Sequence, residues 1–90
     1  MPQVIVNPDE LRRFAVALDE LRESLQQKKF NTSHSFEQLR QSWKDAKYNE
    51  FEKTFTSTSQ ELEQFLKMTK SYADFLRKKA AKLDRYLSRS

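Results

Sequence analysis

The sequence predicts an all-α fold: two long antiparallel helices forming a helical hairpin, which dimerises into a four-helix bundle. Three observations carry this. Glycine is absent from all 90 residues and both prolines stand within the first eight. Turns that need positive φ therefore have little to build on, and a compact β fold is nearly excluded. Apolar residues recur at spacings of three and four in two long stretches, the pattern of one helical face. Only Trp43, Lys44 and Asp45 separate those stretches. So short a connection makes the two helices antiparallel neighbours. Residues 1–90 are read as one hairpin domain.

The chain opens with Val4-Ile5-Val6, a short β-branched run read as extended. Asn7-Pro8-Asp9-Glu10 then starts helix 1: Asn7 caps free amides, Pro8 suits the first helical position, and two acids meet the positive dipole end. Leu11, Phe14, Ala15, Leu18, Leu21 and Leu25 form its apolar stripe. The pattern weakens from Gln26 to Ser35, where Lys28, Lys29 and Thr32 take inward places, and resumes at Phe36, Leu39 and Trp43. Helix 1 is expected over about residues 8–42, with a break possible at Asn31-Thr32-Ser33, because such residues favour caps and turns.

Asp45 is the expected N-cap of helix 2, over about residues 46–87. Tyr48, Phe51, Phe55, Thr58, Leu62, Phe65, Thr69, Tyr72, Leu76, Lys79, Leu83 and Tyr86 follow an unbroken 3-4 alternation, read as the seam facing helix 1. Lys28, Thr58, Thr69 and Lys79 would be polar seam positions that set register, with Lys79 running its stem along the bundle. Beside that seam Leu66, Ala73, Ala80 and Leu87 recur every seven residues, with Met68 and Phe75 flanking. One hairpin covers one stripe per helix. This extra apolar surface is therefore the candidate dimer or partner interface.

Charge falls on the second half: residues 46–90 carry ten Lys/Arg against six Asp/Glu, whereas residues 1–45 balance at seven each. Arg77, Lys78, Lys82, Arg85 and Arg89 make a basic C-terminal face able to attract nucleic acid or an anionic membrane. It reads first as a solvated face favoured by the helix dipole, since no nucleic-acid recognition motif accompanies it. The absence of cysteine removes disulfides and thiolate chemistry. One histidine removes His-pair metal sites, and His34 reads as a surface side chain. Glu61, Glu63, Asp74 and Asp84 read as solvated charges, not paired catalytic acids. No apolar run approaches membrane-span length, and no stretch reads as a signal peptide. No catalytic residue, cofactor or metal site is predicted, and the chain is not read as an enzyme.

Asn7-Pro8-Asp9-Glu10-Leu11-Arg12-Arg13-Phe14-Ala15, then Trp43-Lys44-Asp45 at mid-chain, then Phe51 opening a long heptad helix: this resembles the WXG family. Its members are small helical hairpins exported by type VII (ESX-like) secretion systems. The resemblance spans nearly the whole chain in helix order and tryptophan position. Here the Trp-x-Gly turn is Trp-x-Asp, with Asp45 in the glycine's place. The Tyr-x-x-x-Asp/Glu export signal has no match after helix 2, because Tyr72 is followed by Leu76 and Tyr86 by Ser90. The resemblance therefore implies a chain whose export signal comes from a partner, or a non-exported branch.

The leading functional reading is a non-catalytic, WXG-like substrate or accessory of type VII secretion, acting as a dimer. A homodimer is the first expectation and a heterodimer with another small helical hairpin the second. The secretion machinery or a larger secreted protein would be the further partner. Trp43 at the turn reads first as a large side chain sealing the end of the core, and second as the contact with such a partner that the resemblance implies. Localisation would be secreted without a cleaved signal peptide, or cytoplasmic before export. The rival reading is a basic helical module that binds nucleic acid or anionic membrane.

Overall fold

The computed structural model of the chain describes residues 6–88; Val4, Ile5 and Arg89 lie outside the described residues. Two helices account for nearly all of it: α1 spans Pro8–Arg40 and α2 spans Ala46–Leu87. They pack side by side into a rod of 68 × 25 × 15 Å, two helices wide and one layer thick.

Each helix begins as its sequence dictates. The Asn7 side chain accepts a 2.8 Å hydrogen bond from the Asp9 amide, with Pro8 in the first turn. Asp45, held extended, accepts from the Tyr48 amide at 3.1 Å. α1 ends two residues before the expected 42. The Ser42 and Trp43 amides donate to the Leu39 carbonyl at 3.0 and 2.9 Å, closing the last turn tightly. No described residue has positive φ. The turn therefore needs no glycine, and an acid that caps α2 replaces it without backbone strain.

The break considered at Asn31-Thr32-Ser33 does not occur: α1 runs through unbroken. Tertiary anchors on both sides override the weak local propensity. Lys29 binds Glu63 across the hairpin at 2.9 Å, and Phe36 stacks on Phe55 with ring centroids 4.6 Å apart. Between these anchors a shallow groove opens, walled by Leu25, Lys28 and Thr32 on α1 and by Phe55, Thr58 and Leu62 on α2.

The seam of α2 lies one row away from where the 3-4 alternation placed it. Tyr48, Leu66, Thr69, Ala73 and Ala80 are buried, with Phe55, Leu62, Leu76 and Leu83 partly so. Phe51, Phe65, Tyr72 and Tyr86, expected inside, are exposed. Two rows shared the same periodicity, and size chose between them. Ala73, Ala80 and Ala15 are at 0% exposure, and small side chains let the helix axes approach. The aromatic row would hold them apart and so turns to the flank. Of the polar residues expected in the seam, Thr69 is buried and its hydroxyl donates to the Leu66 carbonyl at 2.7 Å. Lys28, Thr58 and Lys79 are exposed, whereas Arg22, Lys29 and Ser59 take the half-buried places.

This seam is thin. No large side chain among the described residues is fully buried. Chains below about 70–80 residues often add a disulfide, a metal or a partner to a core this limited, and this chain, though somewhat longer, has no cysteine to form a disulfide.

Candidate functional site

The two flanks of the hairpin differ in kind. On one, ion pairs cross between the helices: Arg12 to Asp84, Asp19 to Arg77, Lys29 to Glu63 at 2.9 Å, and Arg40 to Glu52 at 3.7 Å. Partner numbers fall along α2 as they rise along α1, so the row pins the antiparallel register. Hydrogen bonds from Arg77 and then Arg22 hold the Asp19 carboxyl below its ordinary range, and the Lys29 ammonium does the same for Glu63. Arg22 reaches Asp19 at 2.6 Å with one guanidinium nitrogen, while its other terminal nitrogen is buried without a hydrogen-bond partner. Exposed pairs of this kind add little stability. Their effect is to close this flank with matched charge.

The opposite flank is apolar and open. Phe65, Tyr72 and Tyr86 form the row next to the seam on α2, and Met68 and Phe75 the row beyond it. Phe14 and Leu21, at the equivalent angle on α1, join the same side. Phe75 and Phe14 are each 58% exposed and Tyr86 75%. A largely apolar strip along one side of a rod, interrupted by the exposed Lys28 and Lys79 and opposite a strip of matched ion pairs, is the composition of an interaction surface.

This relocates part of the expected interface. Leu66, Ala73 and Ala80 are not on the outer surface: they form the intramolecular seam against α1, at 4%, 0% and 0% exposure. Met68 and Phe75 remain exposed, and Leu87 is 54% exposed at the end of α2. The aromatic row of Phe65, Tyr72 and Tyr86 was assigned to the seam by sequence. The signal that could have separated the rows was the alanine pair, since small residues mark the closest approach of two helices.

At the tip, Trp43 is half-buried, and Lys44 and Asp45 are exposed. Trp43 packs edge-on to Tyr48 at 5.6 Å and tilts over Phe51 at 6.0 Å. Phe36 reaches in from α1, stacking on Tyr48 at 5.7 Å and on Phe55. Five aromatic rings thus seal the closed end of the hairpin, each pair contributing about 0.5–1.5 kcal/mol beyond simple burial. Burial, and then a 2.7 Å hydrogen bond from the Tyr48 hydroxyl to Glu52, raise the phenol's pKa above its ordinary value. Trp43 therefore meets the core with one face and solvent with the other.

The basic residues separate. Lys78, Lys82 and Arg85 are exposed at i, i+4, i+7 spacing on the outer side of α2, but Arg77 turns back to Asp19. Arg77 is thus withdrawn from the expected basic face. Of the carboxylates read as solvated, Glu63 and Asp84 are in fact cross-hairpin partners; Glu61 and Asp74 are exposed, as is His34. Among the described residues no three His, Asp or Glu side chains stand together as metal ligands. Nor is any described helix long and apolar enough to cross a membrane.

No protein-family profile matches the chain, and no curated protein matches it in sequence. Among solved structures it is similar to the secreted protein EsxB from Bacillus anthracis str. Sterne, in a glycine-to-alanine mutant form. The TM-score is 0.78 at 20% identity, covering 93% of this chain and 97% of that one. At that identity the likeness establishes the fold: two long helices, no strand among the described residues, and the hairpin of EsxB over nearly its full length.

Proposed function

We propose that this chain is a non-catalytic, WXG-like interaction protein of a type VII-like secretion system. It acts as a dimer of hairpins, leaves the cytoplasm without a cleaved signal peptide, and presents Trp43 to the machinery or to a larger secreted partner. The observation that carries this reading is the open apolar flank on a hairpin whose own core contains no fully buried large side chain. A second chain laid on Phe14, Phe65, Tyr72 and Phe75 completes the bundle and removes that surface from water. The likeness to a secreted hairpin protein supports the cellular setting. The half-exposed Trp43, anchored on Tyr48 and Phe51, is suited to recognition, because aromatics that meet both core and solvent are frequent interface anchors.

The test is export of the tagged chain in its own host, with and without the system's ATPase, for the wild type and Trp43→Phe. Wild-type protein should reach the medium only when the ATPase is active. The folded variant should lose export out of proportion to its lowered melting temperature. A wild type retained in cells under both conditions overturns the secretion reading. Normal export of a less stable Trp43→Phe reduces Trp43 to a structural plug.

A further inference from the structure

The row of ion pairs that closes one flank lacks an acid at one rung. Arg12 meets Asp84 and Asp19 meets Arg77, a step of seven residues up α1 and seven down α2. The next such step brings Gln26 opposite Lys70, so an amide stands where the pattern expects a carboxylate. Both residues line one notch between the helices, of about 300 Å³, together with Arg22, Lys67, Glu63 and the buried Leu66. Neither Lys67 nor Lys70 has an ion-pair partner among the described residues. The nearby carboxylates are already engaged: Glu63 by Lys29 at 2.9 Å, and Asp19 by Arg22 at 2.6 Å and by Arg77. Lys67 acts on Glu63 only as a weaker, longer-range attraction. The Arg22 side chain is 18% exposed, and its second terminal nitrogen is buried with no hydrogen-bond partner. Buried polar groups in folded proteins are nearly always paired. Arg22, Lys29, Lys67, Lys70 and Arg77 thus share two carboxylates. Glu23 on α1 and Asp74 on α2 are exposed outside the notch lining, and neither is within ion-pair distance of these cations.

We infer that this notch binds a phosphate-type anion: inorganic phosphate or a small soluble phosphate monoester. The anion supplies what the missing acid would, with oxygens for the Lys67 and Lys70 ammonium groups and for the Arg22 guanidinium. A small turn of that guanidinium brings its unpartnered nitrogen out of burial to the anion. Planar guanidinium forks match phosphate oxygens, and such charge-assisted hydrogen bonds are among the strong ones. Three cationic side chains also suit three phosphoryl oxygens better than the two oxygens of a carboxylate. The volume is at the lower limit for small-molecule sites, which fits a phosphoryl group with a small substituent. A flat anionic membrane would meet the exposed Glu23 and Asp74 first, whereas a small anion passes between them. The notch lies on the charge-paired flank, so a second chain laid on the open apolar strip leaves it accessible. It is also separate from the outer basic residues Lys78, Lys82 and Arg85.

The test is an NMR titration of the full chain with inorganic phosphate at about pH 8, where phosphate is the dianion. Chloride holds the ionic strength constant. Saturable shifts should centre on Arg22, Gln26, Lys67 and Lys70 and leave Lys78, Lys82 and Arg85 unmoved. Lys70→Gln, at an exposed position, should weaken binding by about tenfold or more, while Lys82→Gln leaves it unchanged. Gln26→Glu places the missing acid in the chain itself. It should abolish phosphate binding and keep or raise the melting temperature, so loss of binding is not loss of fold. Phosphatidylcholine vesicles containing phosphatidic acid should not bind. Shifts that spread over every exposed lysine without saturating mean an adventitious counter-ion only, and overturn the site. Undiminished phosphate binding by Lys70→Gln or Gln26→Glu overturns its placement at this rung. Vesicle binding that depends on Lys70, with no response to free phosphate, overturns the soluble anion in favour of a lipid headgroup.

Discussion

Asp45 caps α2 with its side chain, which a glycine at the turn could not do. Its carboxylate accepts from the Tyr48 amide, and its extended backbone lets the chain reverse with no positive φ. Replacing it by alanine leaves the Tyr48 amide, beside the aromatic plug, only the backbone carbonyl of residue 45 at 3.1 Å. Asp45→Ala should cost about 1 kcal/mol, within the usual range for an N-cap, read as a lowered denaturant midpoint with an unchanged slope. An unchanged midpoint would show that the cap bond contributes nothing. The caps at Asn7 and Asp45 were legible in the sequence because capping is local chemistry: an acceptor side chain placed just ahead of an apolar period. The contacts of Glu63 and Asp84 were not legible, since each partner lies on the other helix and becomes a neighbour only once the register is set.

At the scale of the helix, periodicity gave the right hand of cards and the wrong row. Tyr48, Phe55, Leu62, Thr69, Leu76 and Leu83 belong to both possible seams of α2, so spacing alone could not decide which row beside them faces α1. Packing decides it: Ala73 and Ala80 admit the close approach of α1 that Tyr72 and Lys79 would block. The same logic explains why α1 bridges Asn31–Ser33, where its propensity is poor but Lys29 and Phe36 are held by α2. This assignment is directly testable. Ala73→Leu, a mild or stabilising change if position 73 were outer surface, should instead destabilise the protein by about 1–3 kcal/mol through overpacking. The comparison is Asp74→Leu on the exposed side, and equal melting temperatures for the two variants would return Ala73 to the surface.

The whole molecule is a rod of unlike sides, one closed by charge pairs between its own helices and one left open and largely apolar, with Lys28 and Lys79 among the exposed charges in its rows. The hairpin architecture was readable because it follows from two apolar periods and a three-residue connection. Which side stays open was not, because it depends on the single-row choice made by Ala15, Ala73 and Ala80. The central claim is that the open flank is covered by another chain in the working protein. Sedimentation equilibrium of the wild type beside Phe75→Glu tests it most directly, since a carboxylate at that position charges the middle of the strip without touching the seam. The account predicts twice the 10.8 kDa chain mass for the wild type at micromolar concentration, and the single-chain mass for Phe75→Glu with its helical content retained. A wild type that remains a fully folded 10.8 kDa species at every concentration reached would contradict it.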